Sequence, residues 1–372
     1  MPATTRKGVW DLQQVRDQYL AGEWEAQNQL WSWGYNYSGQ LGHNDRTRQS
    51  SPVQVPGTIW SSIAAGKQHS LATKTDGTLW AWGNNGSGRL GQNDTTNRSS
   101  PVQIPGTTWN SITVGDNWSF ATKNDGTLWA MGSGGAGQLG QNDTISRSSP
   151  TQIPGTTWNF VSMTSSHVLA TKTDGTLWAW GNNASGRLGV NNTTQYSSPI
   201  QIPGTTWRSI SAGGSHSLAT KTDETLWAWG NNSSGKLGKN DTTYYSSPIQ
   251  IPGTTWSSIS AGGNHSLATK TDGTLWAWGN NGSGELGQNN RTEFSSPIQI
   301  PGTTWSSISG GGQHSLATKT DNTLLAWGVN QHGELGQNSR VSLSSPVQIP
   351  GTQWSVVKAA EGVSSALKAL VQ

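Results

Sequence analysis

One spacing dominates this chain. Trp60 recurs as Trp109, Trp158, Trp207, Trp256, Trp305 and Trp354, always 49 residues apart, so no repeat carries an insertion or a deletion. The glycine that closes a Trp-x-Trp-Gly run keeps the same step from Gly34 to Gly328, and a Leu-Gly pair keeps it from Leu41-Gly42 to Leu335-Gly336. Fourteen of the fifteen prolines belong to the repeat, leaving only Pro2 outside. From Leu30 to Gln372 there are 343 residues, seven units of 49, and the chain enters the pattern midway through a unit. The last half-unit therefore supplies what the first lacks. An open solenoid carries atypical capping repeats at its ends, whereas complementary ends predict a closed ring.

Within one unit, residues 69–83 read HSLATKT-DG-TLWAWG, two alternating runs around Asp76-Gly77. Asp-Gly suits a two-residue type I′ β-hairpin, whose central residues both need positive φ. A preceding run, WSSIAAG, and a following proline-bearing run, SPVQVPG, add an inner strand and an outer one, where proline is tolerated. Four short strands in about 50 residues make a propeller blade. The expected fold is all-β, a seven-bladed propeller over 30–372. Its last blade takes 354–358 and 363–369 from the C-terminus and its other two strands from the segment after Leu30.

Composition removes several function classes. With no Cys, disulfide scaffolds, Cys-ligated zinc and thiol nucleophiles are excluded. No run reaches the roughly 18 apolar residues of a spanning helix, and MPATTRK has no apolar stretch behind it, so neither membrane insertion nor a secretory signal is expected. A net charge of +3 is spread along the chain, whereas competitive phosphate-backbone binding needs about 6–10 clustered contacts, so no nucleic acid is expected as partner. Only 31% of residues are hydrophobic, yet 22 are Trp. Each buried Trp contributes a gross ~4–6 kcal/mol against an extended chain, so the tryptophans can supply the missing core.

The repeating residues GxxHSLATKTDGTLWAWGxNxxGxLG resemble the repeat of the RCC1 family, named after the regulator of chromosome condensation, over about nine-tenths of the chain. WD40 and kelch blades would show other pairs. The resemblance implies a seven-bladed ring. Members of the family include a guanine-nucleotide exchange factor for a small nuclear GTPase, a plant ultraviolet-B photoreceptor, modules of ubiquitin ligases and a bacterial β-lactamase inhibitor, so it implies a fold and not one function. The exchange factor carries an extra wedge-like hairpin, for which a strict 49-residue period leaves no room. The photoreceptor's GWRHT-type motifs are replaced by AGGSH, AGGNH and GGGQH.

Titratable residues follow the period too. His69, His167, His216, His265 and His314 share a phase that Trp118 and Val363 fill in the other two units. Equivalent positions around an axis do not converge on one atom, as a metal site requires, so these histidines read as bonded to the strand turn, and no metal or cofactor is expected. Asp76, Asp125, Asp174, Asp223, Asp272 and Asp321 are turn residues, with no unlike pair placed across one substrate. No enzyme is expected.

Function should then lie where the repeats disagree. The loops after Leu-Gly vary most and gather aromatics at Tyr196, Tyr244, Tyr245 and Phe294. The position before Leu-Gly reads Gln40, Arg89, Gln138, Arg187, Lys236, Glu285 and Glu334, a passage from basic to acidic around the ring. Tyr35, Tyr37 and Trp118 are further out-of-pattern aromatics. Together they make a candidate face for proteins or sugars, the alternative being plain variation of solvated loops.

Residues 1–29 precede the ring, with a short helix expected over 11–20 from the capping-box pattern at Asp11 and apolar Leu12, Val15 and Tyr19. The stretch RKGVWDLQQVRDQYLAGEW is similar to the opening of repeat-bearing structural proteins of marine bacteriophages. That likeness implies a binding or assembly module of a phage virion or tail, touching other virion subunits or a host-surface glycan, located in the virion or in the cytoplasm before assembly. The competing expectations are a regulator of a small GTPase and an enzyme inhibitor acting through its loops.

Overall fold

The computed structural model describes residues 28–164 and 166–369. The expected helix at 11–20, and the rest of the segment that suggested a virion protein, lie outside these residues. Among the described residues, twenty-eight strands form seven four-stranded antiparallel sheets. In one full blade the order from axis to rim is β3 (Trp60–Ala65), β4 (His69–Lys74), β5 (Leu79–Gly83) and β6 (Arg98–Ile104). The closing blade joins β27 (Trp354–Ala359) and β28 (Val363–Ala369) to β1 (Asn28–Gly34) and β2 (Gln49–Gln54). β1 and β28 pair in unbroken register from Asn28 opposite Ala369 to Gly34 opposite Val363. The ring closes as the spacing requires, with β1 beginning two residues before the expected Leu30.

Blades are joined by three repeated contacts. The second Trp of each Trp-x-Trp donates its indole N–H to the preceding blade, as Trp82 does to the Gln40 carbonyl (2.9 Å) and Trp180 to that of Gln138 (2.7 Å). Along the axis, Ser211, Ser260 and Ser309 Oγ accept the N–H groups of Ala261, Gly310 and Ala359 at 2.9 Å. The third contact corrects the expected histidine partner. Each buried imidazole meets a serine of the next blade, His69 with Ser119 (2.8 Å) and His216 with Ser266 (2.9 Å), rather than its own turn. Those serines donate to carbonyls, Ser119 to Arg89 and Ser266 to Lys236. A hydroxyl has one proton, so Nε2 of each imidazole must be the donor. Burial then holds His69, His167 and His314 down to about 3 and His265 to about 4. Where Trp118 replaces histidine, Val168 replaces the partner serine, and both sit in one apolar cluster. The polar pair was exchanged as a unit.

The hairpin turns also differ from the sequence expectation. Positive φ occurs at Gly77 (+76°) and not at Asp76, and the Gly77 N–H donates to the Lys74 carbonyl (3.0 Å). This is a type I turn followed by a left-handed residue, not type I′; Asp-Gly serves either. Asp76 Oδ1 accepts both the Thr78 N–H (3.0 Å) and its hydroxyl (2.6 Å), which lowers the carboxyl's pKa. Lys74 lies over Trp60 and Trp80, 5.0 and 4.4 Å from the ring centroids.

Candidate protein-binding face

The ring has two unlike faces. One carries the hairpin turns just described. The other carries the short turns that follow the inner strands, such as 66–68, and the long loops between third and outer strands, such as 84–97; all the sequence-nominated residues except Trp118 derive from those loops or their edges.

The structure separates these residues by depth. At the position before Leu-Gly, every side chain is tucked beneath the neighbouring blade's turn or back onto its own loop. Arg89, 4% exposed, donates to the Asp116 carbonyl at 2.7 Å. Arg187 reaches Ser166 Oγ and the Gly214 carbonyl, and Lys236 reaches Asn264 Oδ1 (2.7 Å) and Ser215 Oγ (3.2 Å). Glu285 and Glu334 instead accept the N–H groups of Ser283 (2.9 Å) and His332 (2.8 Å). Cations clamp forward and carboxylates clamp inward, so the basic-to-acidic gradient is largely internal. Burial lowers Lys236 to about 8 and raises both glutamates above the usual carboxylate range. Trp118 is core. Tyr196, Tyr245 and Phe294 begin outer strands and pack half-buried against blade cores. Tyr244, Tyr37 and part of Tyr35 remain at the surface, Tyr37 at 71% exposure.

What the sequence did not reveal is that Tyr35 and Tyr37, both nominated from it, meet Arg48 and His332 between the closing blade and the one before it. Aligned by phase, Tyr35 stands where four other blades have Asn, Tyr37 where most have Gly, Ala or Ser, and His332 where the rest have Ser or Ala. The Tyr35 ring is stacked on Tyr37 (centroids 6.4 Å apart), lies 4.9 Å from His332, and carries the Arg48 guanidinium 5.1 Å from its centroid. Burial, then the Arg48 and Arg340 charges, lower the His332 pKa. Val341, 67% exposed, projects from the adjacent loop. Comparing the loops position by position around the ring, rather than as strings, exposes this concentration.

The seam borders a cavity of about 780 Å³. Its rim is uneven. Three consecutive turns carry Glu361, Lys67 and Asp116, with Lys67 and Glu361 paired at 2.7 Å. Three others are bare: a Cβ on Gly214 would come 2.7 Å from the Gly263 carbonyl oxygen, and one on Gly263 2.4 Å from that of Gly312. Close stacking of these turns demands glycine, and the consequence is a half-buried main-chain floor whose N–H groups bond from turn to turn.

The RCC1-like domain family matches residues 153–369, and RCC1 repeats match 27–73, 76–122 and 125–170. The chain belongs to the RCC1 repeat family. The whole ring superposes on human WBSCR16 (TM-score 0.84, 22% identity, 92% of this chain and 100% of that one). It superposes equally on Prp20p of Saccharomyces cerevisiae (TM-score 0.85, 22% identity, 93% of each chain), whose structure was described with its binding to Gsp1p and histones. At this identity the likeness shows the fold. Protein RCC2 homolog of Danio rerio is 39% identical over 56 residues, a match that spans 11% of that protein and 14% of this one. Among the described residues no helix is long and apolar enough to cross a membrane.

Proposed function

We propose that this RCC1-family ring is a non-enzymatic protein-binding module that docks its partner on the loop face, at the seam around Tyr35, Tyr37, Arg48 and His332. The observation that carries the reading is the clustering of symmetry-breaking side chains beside one cavity, while the turn face repeats a single arrangement. Of the nominated residues, Tyr35, Tyr37 and Tyr244 contribute contact surface; Arg89, Arg187, Lys236, Glu285 and Glu334 shape it from below; Tyr196, Tyr245 and Phe294 anchor its outer edge.

Protein is favoured over glycan because the Tyr35 ring is already engaged by Tyr37, His332 and Arg48 and offers no open face for a sugar. Regulation of a GTP-binding protein is the narrower form of this reading. It is supported by the resemblance to the exchange factor and by the fold shared with Prp20p, and acceleration of nucleotide release from a candidate GTPase would test it. A virion role rests on residues 1–29 alone, and none of the relatives named above is a virion protein. The docking reading is tested by a photo-cross-linking amino acid placed at Tyr37 or at Asp174 on the turn face. A partner captured from Tyr37 and absent from Asp174 is expected; equal capture from both faces, or none from Tyr37, would contradict it.

A further inference from the structure

The seam arginines break the repeat in one direction. Arg291, Arg340 and Arg46 hold one loop phase on three consecutive blades, where the other four carry Thr95, Thr144, Thr193 and Thr242. On two of those three blades the loop aspartate seen at Asp94, Asp143 and Asp241 is replaced by neutral Asn290 and Ser339. Elsewhere loop charges cancel locally, with Arg98 on Asp94 at 2.8 Å and Arg147 on Asp143 at 2.7 Å. Among the described residues, no carboxylate lies within ion-pair distance of Arg48 or Arg340, although the Arg48 charge reaches Glu334 and opposes the burial that raises its pKa.

Arg48 lies over Tyr35, 5.1 Å from its ring centroid, and keeps its planar fork of N–H donors, a match for a carboxylate. Beside it the cavity runs from Tyr35 and Arg48 across Gly312 and Gly263 to Gly214. Lys67 is neutralised by Glu361. Beneath the far end, Lys236 is a second cation whose bonding partners, Asn264 Oδ1 and Ser215 Oγ, are both neutral.

We infer that this trough binds an acidic, extended stretch of the partner protein, with one carboxylate forked by Arg48, others facing Arg340, and the peptide main chain lying on the glycine floor. The inference rests on the docking reading of the loop face and adds the chemistry of the docked segment. Carboxylate is favoured over phosphate because Glu334 and Glu361 line the same cavity and repel a dianion more than a monoanion. An extended main chain fits because Gly214, Gly263 and Gly312 present no Cβ along the trough, between the side chains of Ser215, Asn264 and Gln313 that also line it.

The test is fluorescence anisotropy of the full chain with labelled octapeptides in a Gly-Ser background, their glutamate count rising from none to six, beside a phosphoserine peptide matched to one glutamate peptide. Affinity should climb with glutamate count and fall with salt. Arg48→Ala with Arg340→Ala should weaken binding by about tenfold and Arg48→Lys by about threefold, since the charge stays and the fork goes. Arg208→Ala, an exposed arginine at the other end of an inner strand, should leave it unchanged. Both seam arginines are exposed, so an unchanged melting curve keeps a loss of binding separate from a loss of fold. Equal binding of the neutral peptide, tighter binding of the phosphoserine peptide, or an unaltered affinity in the double variant would overturn the inference. Failure of the docking reading shows separately, as equal cross-linking from Tyr37 and Asp174 whatever the peptides do.

Discussion

The turn face and the loop face are built from the same 49-residue unit, yet they use it differently. On the turn face each Asp-Thr pair, each lysine between two tryptophans and each left-handed residue repeats one local solution. Even the departures conform: Glu224 and Asn322 take the left-handed conformation of the glycine they replace, at φ of 61° and 63°. On the loop face the backbone and its buried asparagines repeat, Asn85 capping the Leu90 N–H at 2.9 Å as Asn232 caps that of Leu237 at 2.8 Å, while the side chains around them differ. Variation alone is therefore a poor guide to function. At the position before Leu-Gly it records alternative ways of filling one buried socket; at the seam it gathers half-buried and exposed groups that pack on one another.

What both faces share is the interior, and the largest expected effect comes from breaking it with acid. Five histidines buried neutral have folded pKa values well below 6.5, so the unfolded chain binds more protons as pH falls through that value. Stability is expected to be held above pH 6.5 and lost toward pH 4, by up to about 1.4 kcal/mol per pH unit for each histidine. Denaturant midpoints measured from pH 7 to 4 check this; a flat profile would mean that the imidazoles are not held neutral.

Next in size is Trp180→Ala, which removes a fully buried ring and its bond to the preceding blade. A loss of about 3–5 kcal/mol in chemical denaturation is expected. Two glycines then compare the faces directly. Gly83, at the loop end of β5, has φ +107° and space for a Cβ only 2.4 Å from the Gln68 carbonyl oxygen, whereas Gly106, at φ +102° on the turn side, meets nothing nearer than 3.5 Å. Gly83→Ala should cost about 2–3 kcal/mol and Gly106→Ala about 1 kcal/mol, since only the first adds a backbone clash to the strained φ. Equal losses would show that the loop face yields as readily as the turn face.

The smallest effect concerns Lys236. Its folded pKa, about 8, lies below that of a free lysine, so its charge opposes folding at neutral pH and stability should rise as pH climbs from 8 toward 10.5. Lys236→Met should abolish that rise, a difference on the order of 1 kcal/mol between the two pH profiles. A profile unaltered by the substitution would mean that the ammonium reaches water.

The ring was legible because an invariant period leaves no freedom in blade number or closure: Leu30 and Leu367 had to face each other in complementary halves of one blade. The turn type was not, because Asp76-Gly77 suits two geometries and only the Gly77 to Lys74 bond decides between them. Nor was the clamp role of Arg89 or Lys236, whose acceptors lie 27 and 28 residues on, in the next blade's turn. Trp118 illustrates a signal that was present and unread, since Val168 changes with it exactly one blade away, at the spacing of every His-Ser pair. Arg48 and Arg340 stand in loops as variable as the rest, and only the folded ring brings them beside Tyr35 and His332, while the aromatics Tyr244 and Phe294 lie on other blades.

A partner docked on the loop face shields the amides beneath it. Hydrogen exchange of the full chain, with and without the captured partner, reads this most directly. Slowed exchange is predicted at 35–49, 311–313 and 330–334, with the hairpin turns at 75–78 and their equivalents unchanged. Protection confined to those hairpin turns, with the seam exchanging as in the free chain, would contradict it.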